Sequence, residues 1–142
     1  MKASASETVP FTPQQMYNLV VDMDAYPEFI PWCSHATKRN ETPEQFIAEM
    51  TFSFKGFRET FHTVDRLIPG KEVRISLEKG PFKHLESVWS FQELGPTQTR
   101  IDFSIDFRFK SRLMDLSLGP VFSQATKQMV SSFRKRAFEL YS

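Results

Sequence analysis

Ile101-Asp102-Phe103-Ser104-Ile105-Asp106-Phe107-Arg108-Phe109 alternates without a fault: each odd position is apolar and each even one is polar. Successive side chains of a β-strand point to opposite faces. The segment therefore predicts a strand with one dry face and one wet face, the signature of an antiparallel sheet buried on one side.

Working upstream, Val73, Ile75 and Leu77 alternate with Arg74, Ser76 and Glu78, and Leu85, Trp89 and Phe91 follow a Gly80-Pro81 break. Residues 46–54 place Phe46, Ala48, Met50, Phe52 and Phe54 on one face. Lys55-Gly56 interrupts, and 57–67 resumes with Phe57 and Phe61 until the pattern blurs near Val64, where a bulge is expected. Residues 2–9 form a weaker first strand.

Helices flank this sheet. Thr12, Pro13 and Gln15 spell an N-cap, a first-turn proline and a capping box, with Phe11 and Met16 spaced as a hydrophobic staple. Met16, Leu19, Val20 and Met23 then share one face, until Asp24-Ala25-Tyr26-Pro27 breaks the helix and Glu28 to Trp32 makes a second short turn. Downstream of the deciding strand, Leu118, Phe122, Ala125, Met129, Phe133, Ala137 and Leu140 recur every three or four residues through 112–141. Thirty helical residues reach roughly 45 Å, with a kink or split expected at Gly119-Pro120. Only this helix is long enough to cover the sheet's apolar face. The fold class is α+β, a curved antiparallel sheet around a long C-terminal helix, in one domain spanning 1–142.

Composition narrows the function. Lys plus Arg is 18 against 17 Asp plus Glu, so net charge makes no case for nucleic acid or an anionic membrane. A single cysteine, Cys33, excludes an internal disulfide and a Cys-rich metal site. No secretory signal, transit peptide or membrane-spanning run is legible, so a cytoplasmic protein is expected. Fifteen Phe among 142 residues imply either a bulky core or an apolar cavity. No nucleophile elbow, phosphate loop or zinc motif occurs, and His35, His62 and His84 stand far apart. No metal, catalytic cofactor or enzymatic activity is expected. Glu59 and Ser87 fall by alternation on the apolar face. There they meet a ligand's polar head, unless a bulge turns them outward. Arg134-Lys135-Arg136 reads as a solvated helix end or a phosphate contact.

Tyr26-Pro27-Glu28-Phe29-Ile30-Pro31-Trp32-Cys33 resembles the signature of the coenzyme Q-binding family within the START-like superfamily of helix-grip, polyketide cyclase/dehydrase-like proteins. Gly80-Pro81-Phe82-Lys83, with Leu85, Trp89 and Phe91, is similar to that family's second signature. The Phe103-to-Phe109 strand, with Met129-Val130 and Phe133 to Ala137, is similar to its third. The resemblance implies the helix-grip fold and two alternative roles. One is binding of coenzyme Q (ubiquinone) or a related polyprenyl lipid, as a carrier or chaperone supporting respiratory electron transport. The other is that of a ribosome-association toxin that binds the large ribosomal subunit and blocks subunit joining.

On the lipid reading, Phe52, Phe54, Phe57, Phe61, Trp89, Phe91, Phe103 and Phe107 form one wall of a tunnel, and Met129 and Phe133 the other. Phe29, Ile30 and Trp32 form its lip or a membrane-touching gate, unless they simply close the core. The quinone is a bound ligand rather than a cofactor. The expected location is the bacterial cytoplasm, with peripheral contact at the inner membrane. The oligomeric state stays open.

Overall fold

A computed structural model describes residues 1–142. Seven strands form one antiparallel sheet: β1 (Lys2–Val9), β2 (Cys33–Arg39), β3 (Gln45–Phe54), β4 (Phe57–Ile68), β5 (Glu72–Lys79), β6 (Phe82–Gly95) and β7 (Gln98–Phe109). Their spatial order is β1-β7-β6-β5-β4-β3-β2. Helices α1 (Pro13–Val21) and α2 (Tyr26–Phe29), joined by a 3₁₀ turn at Met23–Ala25, lie between β1 and β2, and α3 (Arg112–Tyr141) closes the chain. The sheet curves around α3 in the helix-grip arrangement expected from the sequence.

The deciding strand behaves as its alternation requires. Ile101, Phe103, Ile105, Phe107 and Phe109 are all buried, while their polar neighbours face out. Thr12 caps α1 as its sequence dictates: its side chain accepts from the Gln15 N–H at 3.1 Å, and Gln15 Oε1 accepts from the Thr12 N–H at 2.9 Å. Phe133, Phe122, Met129 and Ala137 of α3 pack into the sheet's concave face. Phe122 is a hub, with ring centroids 4.8 Å from Phe107, 5.3 Å from Phe52 and 5.4 Å from Phe82.

Four local details refine or correct the sequence reading. Lys55-Gly56 is a tight two-residue turn, with positive φ at both positions and Phe54 paired to Phe57. Such a turn matches strand twist, and glycine accepts its conformation freely. The irregularity expected near Val64 falls between His62 and Thr63, in the pairing of β4 with β5. α3 runs unsplit through Pro120. The carbonyl that Pro120 deprives of a partner belongs to the exposed Leu116, within reach of water. Strand β2 carries no clear alternation, because its register shifts between Cys33 and His35 and only Cys33 and Ala36 are buried.

Candidate functional site

Between the sheet and α3 lies a cavity of about 40 Å³. Its floor comes from β3 to β7 through Met50, Phe61, Ile75, Leu85, Trp89, Phe103 and Ile105. Its roof comes from Phe122, Thr126 and Met129 of α3, and Met23, Tyr26 and Trp32 close the side. The space holds water-sized molecules only, since a water needs at least about 10–15 Å³ on this measure.

Two polar side chains enter this apolar wall from the sheet, Ser87 and Asp65. Ser87 is inward-facing and its hydroxyl donates to the Ser104 carbonyl at 2.8 Å. Asp65 is 3% exposed. Thr63 Oγ1 donates to Asp65 Oδ1 at 2.7 Å, and no cation pairs with the carboxyl. Burial pushes its pKa up to about 7, against a smaller downward pull from the Thr63 hydrogen bond. Tyr26 donates its hydroxyl to the Val20 carbonyl, and burial, followed by the Asp65 charge, raises its pKa well above the ordinary phenol value. Trp32 lines the cavity too, and its indole Nε1–H is buried without any partner.

Of the side chains singled out from sequence, Trp32, Phe61, Ser87, Trp89, Phe103 and Met129 come together around this cavity. Others lie deeper or elsewhere. Phe133 is fully buried against Trp89, Tyr26 and Phe29 at 5.1, 5.4 and 5.2 Å. Phe52 and Phe107 pack on Phe122, Phe91 packs on Tyr17, and Ile30 is buried in the core. Phe54 and Phe57 occupy the hairpin tip and are exposed, and Glu59 is partly exposed opposite Phe52. Both tip positions follow the alternation, but the sheet's concave face ends before it reaches them.

Asp65 escaped sequence reading, although its signal was present. Phe61, Thr63 and Asp65 continue the inward alternation of β4 with polar residues. Phe122 and Thr126 belong to the helical face already visible. The orphan indole N–H has no sequence signature.

A second hollow, of about 300 Å³, opens to solvent beside the cavity. It is lined by Pro31, Trp32, Phe54, Ala125, Gln128 and Ser132. Trp32 alone belongs to both spaces.

All three histidines lie away from the cavity. His35 and His62 each hydrogen-bond Glu49 at 2.8 Å, and His84 meets Asp106 at 3.3 Å. No cluster of three His, Cys, Asp or Glu side chains is placed to hold a metal. The basic run on α3 is divided: Arg134 pairs with Glu7 and Arg136 with Glu28, while Lys135 is exposed.

Residues 9–134 match the family described as polyketide cyclase / dehydrase and lipid transport. The chain belongs to that family. Within it, the chain is 37% identical to the ribosome association toxin RatA of Escherichia coli K12, over 98% of this chain and 88% of RatA. It is 32% identical to the coenzyme Q-binding protein COQ10 homolog B of Xenopus laevis, over 97% of this chain and 58% of that protein. A START superfamily protein from Mycobacterium smegmatis superposes with a TM-score of 0.83 at 18% identity, covering 98% of both chains. The family description spans cyclases and lipid transport, whereas these two relatives are named for what they bind or associate with.

Proposed function

We propose that this chain holds a polyprenyl quinone or related apolar lipid between the sheet and α3, as a carrier or chaperone for respiratory electron transport, with no reaction catalysed. The observation that carries the reading is the cavity itself, a mostly apolar space lined by Trp32 and holding a buried carboxyl. Ligand sites are mostly apolar, with few polar groups to fix orientation. At about 40 Å³ the cavity is too small for a quinone ring, so loading must enlarge it. Trp32 lines both the cavity and the outer hollow, so its outward displacement is the proposed entry route and its return seats the indole on the bound ligand. Apolar burial, about 25 cal/mol per Å², then drives retention of the tail. In a bacterium this function places the protein in the cytoplasm, at the inner-membrane surface while it exchanges ligand. The test is organic extraction of the purified protein and mass spectrometry of the extract. A near-stoichiometric polyprenyl quinone is expected. An empty extract, repeated after incubation with added quinone, would overturn the reading.

Association with the large ribosomal subunit is the second reading, favoured by the higher identity of the RatA relative. The end of the sheet that holds the β3–β4 turn also suits a polyanion. Lys55 and Arg58 are exposed there beside the exposed Phe54 and Phe57, and Lys83, Lys110 and Arg112 are exposed near the start of β6 and the end of β7. Salt-sensitive co-sedimentation with large subunits supports this role, and its absence at low salt removes it.

A further inference from the structure

The cavity wall contains a simple imbalance of hydrogen-bond donors. Every hydroxyl there has already spent its hydrogen: Ser87 on Ser104, Thr126 on Ser123, Tyr26 on Val20, and neighbouring Thr63 on Asp65. Two groups keep capacity. The Trp32 indole N–H is a donor only, and it is unpaired. The Asp65 carboxyl receives Thr63 on Oδ1, so a proton on the carboxyl belongs to Oδ2, free to be donated into the cavity. A buried donor left unpaired is costly, and a ligand that satisfies it recovers that cost.

From this imbalance we infer that Asp65, in its protonated form, and Trp32 together make the head-group subsite, donating hydrogen bonds to a neutral, carbonyl-bearing ring. The assignment rests on the lipid reading above and deepens it. A quinone ring offers acceptors and no donors, which complements two donors. A fatty-acid carboxylate does not fit, because its charge would be buried beside Asp65 without a cation. Glu59, the other acidic side chain considered from sequence, lies outside the cavity wall.

The surroundings favour the neutral acid. Tyr26 on α2 and Cys33 on β2 are the ionisable groups on this side. Burial raises both, the thiol to about 11, so neither supplies charge near neutrality. Asp22, before the 3₁₀ turn, acts on Tyr26 as a further negative charge. Lys38 of β2 is engaged by the Val21 carbonyl and Glu41. The residues facing the cavity from β5, β6, β7 and α3 carry no charge. The carboxyl itself titrates near pH 7.

A ubiquinone with two isoprenoid units provides the probe, with binding followed by equilibrium dialysis at pH 5.5 and 8.5. Squalene, a tail without carbonyls, is the control. Wild type should bind the quinone more tightly at pH 5.5, where Asp65 is a donor, by roughly tenfold. Asp65→Asn keeps a donor, so it should hold the quinone at both pH values without that dependence. Asp65→Leu should lose roughly tenfold at pH 5.5 while squalene binding is unchanged. Equal quinone affinity in all three proteins at both pH values would overturn the Asp65 assignment while leaving the lipid reading intact. Failure of wild type to bind either probe would overturn the lipid reading and the assignment with it.

Discussion

Asp65 sits where its charge costs the fold stability. Its native pKa of about 7 stands above the ordinary 3.8 of an exposed aspartate. The native state thus keeps a proton that the unfolded chain has already lost. Stability falls as pH rises between those two values, and the full penalty applies above about pH 7. At about 1.4 kcal/mol per pKa unit the penalty is on the order of 4 kcal/mol. Asp65→Asn should therefore be more stable than wild type at pH 8, and the gain should vanish below pH 4. Denaturant titrations across that range test it, and a gain independent of pH would count against the burial account. Phe133 presents the opposite case. It is fully buried among Tyr26, Phe29 and Trp89, so Phe133→Ala should cost about 3–5 kcal/mol in the same assay. A loss below about 1 kcal/mol would mean that this part of the core is loosely packed. Phe133 was visible from helical spacing alone. Asp65 was not, because a polar residue on an inward position reads as the end of a pattern rather than as its continuation.

At the scale of elements, legibility followed how strictly each segment obeys one period. β7 keeps its period over its whole length and α3 keeps its own from Leu118 to Ala137, so they and the layer between them could be read directly, whereas Leu140 continues the spacing past the sheet and is exposed. β2 could not, because its register shift breaks the period of two and it buries only two of seven side chains. The start of α1 was legible to the residue because capping is local chemistry. Thr12→Ala should remove the bond to the Gln15 N–H and cost about 1 kcal/mol, with earlier amide exchange at Gln14 to Met16. Unchanged exchange there would show that tertiary packing alone holds the helix start. Which α3 residues border empty space was beyond periodicity: Phe133 and Met129 share a face, yet only Met129 reaches the cavity.

For the whole molecule, interior and surface point to separable roles. The interior holds an apolar cavity with unspent donors and an adjoining hollow behind Trp32. The β3–β4 turn carries exposed Lys55 and Arg58 beside exposed Phe54 and Phe57, and the first turns of α3 expose Leu113 and Leu116 at 75% and 69%. The turn adjoins the hollow through Phe54. A net charge of +1 conceals this local asymmetry, because charge totals do not say where charges lie. No helix is long and apolar enough to cross a membrane, so any membrane contact by α3 or the shorter helices is at the surface.

The central claim is that a lipid occupies the space between sheet and α3. The most direct test is photocrosslinking with a short-chain quinone carrying a photoreactive group on its ring, followed by peptide mass mapping. The account predicts adducts on Phe61, Trp89 and Met129, competed away by unlabelled quinone. Adducts confined to the exposed hairpin tip, or none at all, would contradict it.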